Sequence, residues 1–171
     1  MTNTQKITQS PNLPQSPQKC PCSPKNDYQD CCAPFHLGQS APSVSLLMRS
    51  RYSAFVLGGL GEYLLNTWLS SQRDTYTSKE LDVPQNYIQL QIITHQEHGD
   101  LGEVEFKAYY IDQNLLKTLH EKSAFIRENG RWVYVNGQIF KTIAKQIASQ
   151  DTCPCNSGKR FKQCHGLKAR L

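Results

Sequence analysis

Apolar residues recur at Val44, Leu47, Met48, Tyr52 and Phe55, the spacing of one face of a helix with 3.6 residues per turn. The predicted helix runs over 44–57, with Ser43 placed to cap its N-terminus and Arg49 and Ser53 turned away from the core. Gly58, Gly59 and Gly61 break it, and a shorter helix follows with Leu60, Tyr63, Leu64, Thr67 and Trp68 on one side. Beyond it the period changes to two. Residues 87–94 alternate through Ile88, Leu90 and Ile92, and 103–112 through Val104, Phe106, Ala108 and Tyr110, with the turn between them assigned to 99–102. Residues 123–128 and 131–135 flank Asn129-Gly130, a pair suited to the positive φ of a two-residue hairpin turn. Four antiparallel strands are expected. Residues 113–119, with Leu115, Leu116 and Leu119, read equally as a helical turn or as the start of the third strand, and 138–150 as a short helix or a tether.

Two helices ahead of a sheet make an α+β domain. A chain of 171 residues with 38% hydrophobic composition can fill one such core. Residues 1–19 are rich in Pro, Ser, Thr, Asn and Gln and hold too little apolar surface to offset ordering, so they are expected to form a disordered tail. They lack the apolar run of a signal peptide, and the longest apolar stretches, such as 53–60, fall far short of the roughly 18 residues that cross a bilayer. A cytoplasmic protein without a membrane span is the expectation. The net charge of +5 is modest and is concentrated in Lys159, Arg160, Lys162, Lys168 and Arg170, opposed there only by Asp151. No activated nucleophile, phosphate loop or pair of catalytic carboxylates is recognisable, so no catalytic residue is assigned.

All seven cysteines lie in two segments. Cys20-Pro21-Cys22 is followed after eight residues by Cys31-Cys32, and Cys153-Pro154-Cys155 after eight residues by Cys164-His165. Each quartet matches the four soft or borderline ligands of tetrahedral Zn²⁺, which gives two ions per chain, with iron as the alternative in so sulfur-rich a site. Redox cysteines, or an oxidised Cys31-Cys32 pair, are the competing reading, but a repeat of the same spacing favours metal. Tyr28 and Phe161 stand at the same offset in the two segments, each placed to shield the sulfurs. Four thiolates around a dication leave a charge of −2 and three thiolates with a neutral imidazole leave −1, which Lys25, Lys159, Arg160 and Lys162 help to offset. With every position taken by protein, both sites are expected to be structural.

The run CPCNSGKRFKQCHG resembles the SEC-C motif, a zinc knuckle found at the end of the bacterial preprotein translocase ATPase and on accessory proteins. Together with LMRSRYSAFVLGGLGEYLLNTW and SAFIRENGRWVYVNG, the chain resembles the bacterial YchJ family. The resemblance implies a cystatin-like half-barrel, two helices packed on a curved antiparallel sheet, flanked by a knuckle at each end. The implied divisions are a tail at 1–19, an N-terminal knuckle at 20–36, a central nuclear-transport-factor-like domain at 43–137, a linker at 138–150, and a C-terminal knuckle with basic tail at 151–171. The N-terminal copy departs from the motif with Ser23-Pro24 and Ala33 where glycines are usual, and it has Asp27 and Asp30 where the other has Arg160 and Gln163. The resemblance implies a zinc-binding accessory protein that docks on a secretion chaperone or a ribosome. Lys159, Arg160, Phe161, Lys162, Lys168 and Arg170 would meet acidic side chains or RNA phosphates.

The alternative is a small-ligand binder or an enzyme of isomerase or hydrolase type, using a cone in the central domain lined by Arg51, His120 or Glu62. Arg49 and Arg51 beside Tyr52 suit an anion pocket, although a solvated helix face or an internal ion pair is commoner. His36 is read as a packing or surface residue because its cluster already has four ligands. His95, Glu97 and His98 near Asp100 read as the polar end of a hairpin, and Trp68 and Trp132 as core or cone-lining residues.

Overall fold

The computed structural model describes residues 18–166. The expected tail therefore lies outside the described residues up to position 17, as do Lys168 and Arg170. Lys19 is already structured: β1 (Lys19–Cys20) pairs antiparallel with β2 (Ser23–Asp27). A 3₁₀ turn (Tyr28–Asp30) and α1 (Ala33–His36) lead to α2 (Val44–Leu57), α3 (Gly61–Asn66), a 3₁₀ segment (Ser70–Thr75) and α4 (Ser78–Leu81). Four long strands follow, β3 (Tyr87–His98), β4 (Leu101–Asp112), β5 (Leu115–Glu128) and β6 (Arg131–Phe140). A short β7 (Lys145–Gln146) and a 3₁₀ turn (Phe161–Gln163) complete the described chain.

Helix α2 begins and ends where its cap and stop residues predict. The Ser43 hydroxyl accepts from the Leu46 amide at 3.2 Å, and the chain leaves the helix at Gly58 with φ 68°. The assignment of its faces needs correction. Ser53 does not turn to solvent, because every residue from Ser50 to Ala54 is buried. A helix buried all round has partners on two sides: the sheet covers one, and the N-terminal cysteine segment covers the other. Close approach to the sheet depends on Gly102 in β4, where an added Cβ would stand 2.5 Å from Cγ1 of Val44.

The sheet is open and antiparallel in the order β3-β4-β5-β6, with β7 added to the free end of β5. Residues 113–119 resolve into a turn and the start of β5, and 138–150 into the end of β6 and a tether carrying β7. The first hairpin turns on Gly99-Asp100 alone, with His98 paired to Leu101. The last turns on Asn129-Gly130 with φ 52° and 76°, as expected. Val104, Phe106 and Ala108 are buried on the helix side of β4. Their pairing with Ser123, Glu121 and Leu119 puts those β5 residues on the same inner face. His120 therefore lies on the outer face, with its Nε2 2.7 Å from Oε1 of Glu105, and Glu62 is exposed on α3. Of the three expected cone residues, only Arg51 faces the cone.

The largest apolar cluster joins Cys20, Cys22, Tyr28 and Cys32 to Leu47 and Tyr52 of α2 and to Val104, Phe106 and Phe125 of the sheet. Ala54, Leu60 and Leu64 form a smaller one between α2 and α3. The C-terminal segment has its own: Ile147, Cys153 and Phe161, packed against Ile111 and Leu116 of the β4–β5 hairpin. Ile111 and Leu116 are paired on the outer face of the sheet. The two cysteine segments thus attach to opposite faces of the central domain. Among the described residues, no helix is long and apolar enough to cross a membrane.

Candidate metal centres

The β1–β2 hairpin presents Cys20 and Cys22, and the 3₁₀ turn after β2 returns the chain so that Cys31 and Cys32 meet them. The Sγ atom of Cys22 lies 3.5 Å from that of Cys20, 3.6 Å from Cys31 and 3.7 Å from Cys32, and Cys31 and Cys32 are 3.9 Å apart. Four sulfurs at about 2.3 Å from a central ion stand about 3.8 Å from one another in a tetrahedron. A disulfide would need about 2.05 Å, and all seven cysteines are free. The cluster is thus shaped to hold a cation. Close contact with the Cys22 and Cys32 sulfurs lowers the Cys20 thiol, while contact with Cys20 is the main influence raising Cys22 and likewise drives Cys32 upward. Thiol ligands bind a metal ion in their deprotonated form, so binding at such a quartet would release protons.

Around these sulfurs the packing is dense. Tyr28 is completely buried, and its hydroxyl lies 2.6 Å from Nδ1 of His36. Nε2 of His36 is 2.8 Å from the Ser50 carbonyl oxygen, which can only accept. Nε2 therefore carries the proton, and Nδ1 accepts from Tyr28. Burial lowers the His36 pKa, in keeping with a neutral packing residue and not a fifth ligand. Ser53 of α2 donates its hydroxyl to Cys32 Sγ at 3.4 Å and lies 3.6 Å from Cys20 Sγ. Arg49 donates to the Cys22 carbonyl at 3.4 Å. Ser53 is the functional residue that periodicity missed. The available signal was the weak polarity of the α2 face opposite the sheet, where Ser50 and Ser53 stand one turn apart.

In the C-terminal cluster Cys155 and Cys164 have sulfurs 3.6 Å apart, and Nδ1 of His165 is 3.2 Å from Cys153 Sγ and 3.4 Å from Cys164 Sγ. Tetrahedral coordination sets sulfur and nitrogen about 3.6 Å apart, so this quartet also fits. Its frame is local: the Cys153 amide donates to the Lys159 carbonyl at 2.8 Å, and the Phe161 amide to the Asp151 carbonyl at 2.7 Å. Asn156 and Gly158 have φ of 61° and 74°, whereas Ser23 and Lys25 at the equivalent positions lie in strand β2. The missing glycine of the N-terminal copy is thus accompanied by a different loop. Cys153 is buried, which pushes its thiol up to about 11, while Cys155, Cys164 and His165 are half-buried. Ser157 lies 3.5 Å from Cys164 Sγ. Phe161 is buried in this knuckle as Tyr28 is in the other.

The expected partner residues divide. Lys159 and Arg160 are exposed, Arg160 donating to Gln150 Oε1 at 2.8 Å, and Lys162 is half-buried. Phe161, only 2% exposed, is a core residue of the knuckle and presents no surface for a partner. On the N-terminal copy Asp27 is paired with Lys19 at 2.8 Å. Glu97 accepts from the Val44 amide at 2.8 Å, at the start of α2, while His95 and His98 are exposed. The two quartets are the only groups of three or more His, Cys, Asp and Glu side chains converging for a metal among the described residues.

Residues 43–137 match the family model described as YchJ, middle NTF2-like domain, and residues 151–167 match the SEC-C motif. A UPF0225 protein of Shewanella sp. strain MR-4 is 37% identical over 159 residues, covering 86% of this chain and 95% of that protein. A UPF0225 protein of Shewanella sp. strain ANA-3 is 38% identical over 157 residues, covering 85% and 94%. Among solved structures, the crystal structure of a SEC-C motif-containing protein from Psychrobacter arcticus has a TM-score of 0.64 at 30% identity, over 89% of this chain and 97% of that one. The solution structure of a SEC-C motif-containing protein from Rhodopseudomonas palustris has the same TM-score and identity, over 72% and 99%.

Proposed function

The chain belongs to the YchJ (UPF0225) family, and on that premise we propose that it is a zinc-binding accessory protein whose C-terminal knuckle docks on an acidic protein or ribonucleoprotein surface. In this reading Cys20, Cys22, Cys31 and Cys32 hold one zinc ion, and Cys153, Cys155, Cys164 and His165 hold the other. Thiolate and imidazole donors in a tetrahedron are the usual set for structural zinc, and iron is the competitor that metal analysis decides. The observation that carries the reading is the repeated quartet itself, with both copies convergent in space. Four protein ligands at each site leave no position for a substrate or a catalytic water, which supports a structural role.

Docking falls to the C-terminal copy because two of its cations lie at the surface. Lys159 and Arg160 are exposed beside the metal loop, whereas the N-terminal copy is occupied in holding α2. A secretion chaperone or a ribosome is the class of partner that the SEC-C resemblance suggests, and RNA phosphates would meet the same cations with a steep salt dependence. The test is capture from lysate by the full chain and by a chain lacking residues 151–171, at low and raised salt. Loss of specific proteins or RNA from the shortened bait upholds the reading, and an unchanged set refutes it. One observation favours small-ligand binding as well, a cavity in the central domain that contains Arg51.

A further inference from the structure

Between α2 and the inner face of the sheet lies a cavity of about 210 Å³, walled by Met48, Phe55, Phe106 and Leu119 and containing Arg51 and Glu121. Arg51 is 3% exposed. Its Nη1 donates to the Leu64 carbonyl at 2.8 Å and to the Thr67 hydroxyl at 2.6 Å. The Nε hydrogen and both hydrogens on Nη2 have no partner among the described residues, and Arg51 makes no ion pair there. The guanidinium carbon lies 4.9 Å from the centre of the Tyr134 ring and 5.3 Å from that of Trp68. Burial lowers its pKa to about 10, so it is still a cation at neutral pH. Aromatic faces offset part of the cost of burying this charge, but a buried cation is ordinarily paired with an anion.

Glu121 lines the same cavity and is already engaged. Its Oε1 accepts from Ser123 at 2.7 Å and from the Tyr134 hydroxyl at 3.1 Å. The cavity thus presents an unused guanidinium edge, a fixed carboxylate and apolar walls. Its volume equals that of about seven liquid waters at ~30 Å³ each, enough for one flat molecule of single-ring size.

We propose that this cavity is a binding site for a small planar monocarboxylate, with the ligand carboxylate on the free Nε and Nη2 edge of Arg51 and its apolar body against Phe106 and Leu119. The guanidinium fork matches a carboxylate with two parallel hydrogen bonds, which a neutral amide cannot reproduce. Glu121 rejects a second carboxylate by like charge. The site goes beyond the docking reading and does not depend on it.

Benzoate, benzamide and terephthalate serve as probes, titrated into the ¹⁵N-labelled full chain carrying its metal, with the indole N–H signals of Trp68 and Trp132 as the readout. Benzoate at millimolar concentration is expected to move the Trp68 signal, and benzamide and terephthalate to bind at least about tenfold more weakly. Arg51→Met is expected to abolish the response. Because that change removes a buried scaffold group, Leu119→Phe provides a second arm: it adds a ring to the cavity wall, leaves Arg51 in place, and should weaken benzoate at least tenfold with an unchanged circular dichroism spectrum. No movement of Trp68 in the wild-type chain would overturn the proposal. So would equal affinity for benzamide, or undiminished benzoate binding by folded Leu119→Phe.

Discussion

The two cysteine quartets share a spacing but differ in what surrounds them. The N-terminal one is continuous with the main core: Tyr28 and Cys32 pack with Leu47 and Tyr52, and Ser53 of the central helix donates to the Cys32 sulfur. The C-terminal one closes mostly on itself, with Phe161 as its only buried aromatic and Ile111 and Leu116 as its contact with the sheet. A shared spacing of the four side chains therefore brings them together without specifying the loop's mechanical role. That role follows from what the loop is packed against, so removing metal should unfold the chain at one end and only detach a module at the other.

The largest expected effect separates the two ends. Cys32→Ser removes a ligand from the quartet built into the core, where metal-linked folding free energy of about 10 kcal/mol is comparable to a domain's whole stability of roughly 5–15 kcal/mol. Near-UV circular dichroism of the purified variant should show loss of the native signal for the entire chain. A native spectrum would mean that the core stands without this site. Cys164→Ser, by contrast, should cost the central domain only its cover over Ile111 and Leu116, about 1–3 kcal/mol. Differential scanning calorimetry should then record a melting transition lowered by only several degrees.

Much of this contrast was invisible in sequence for a physical reason. Helix α2 was legible to the residue because Ser43 and Gly58 mark its ends chemically, and Asn129-Gly130 announced its hairpin through its backbone preference. The strands read too short wherever polar side chains occupy both faces near a sheet end, as at Gln96, Glu97 and His98 in β3 and Gln138 in β6. Leu115-Leu116 gave no period, because one of the pair faces the C-terminal knuckle and not the main core. The convergence of the two quartets was legible from spacing alone, whereas Ser53 and the parity that turns His120 outward were not. Both depend on long-range packing and strand register, which local periodicity does not encode.

Smaller perturbations sharpen the difference. Ser53→Ala removes the hydroxyl that donates to Cys32 and touches Cys20. Loss of such a supporting contact typically costs about 10–100-fold in metal affinity. Competition with a chromogenic chelator should show one site weakened by that factor and the C-terminal site unchanged; equal weakening of both would deny that α2 serves one knuckle alone. The smallest effect on stability is expected from the double change Lys159→Glu and Arg160→Glu. Both side chains are exposed, so chemical denaturation should shift by no more than about 0.5 kcal/mol, while capture of the partner falls sharply.

The reading of two metal knuckles with unequal roles rests first on how much metal the chain carries. Elemental analysis of protein purified without added metal should give about two zinc atoms per wild-type chain, one for each quartet, and one in folded Cys164→Ser. A ratio near zero in the wild-type chain, with the chain still folded, would refute both metal centres.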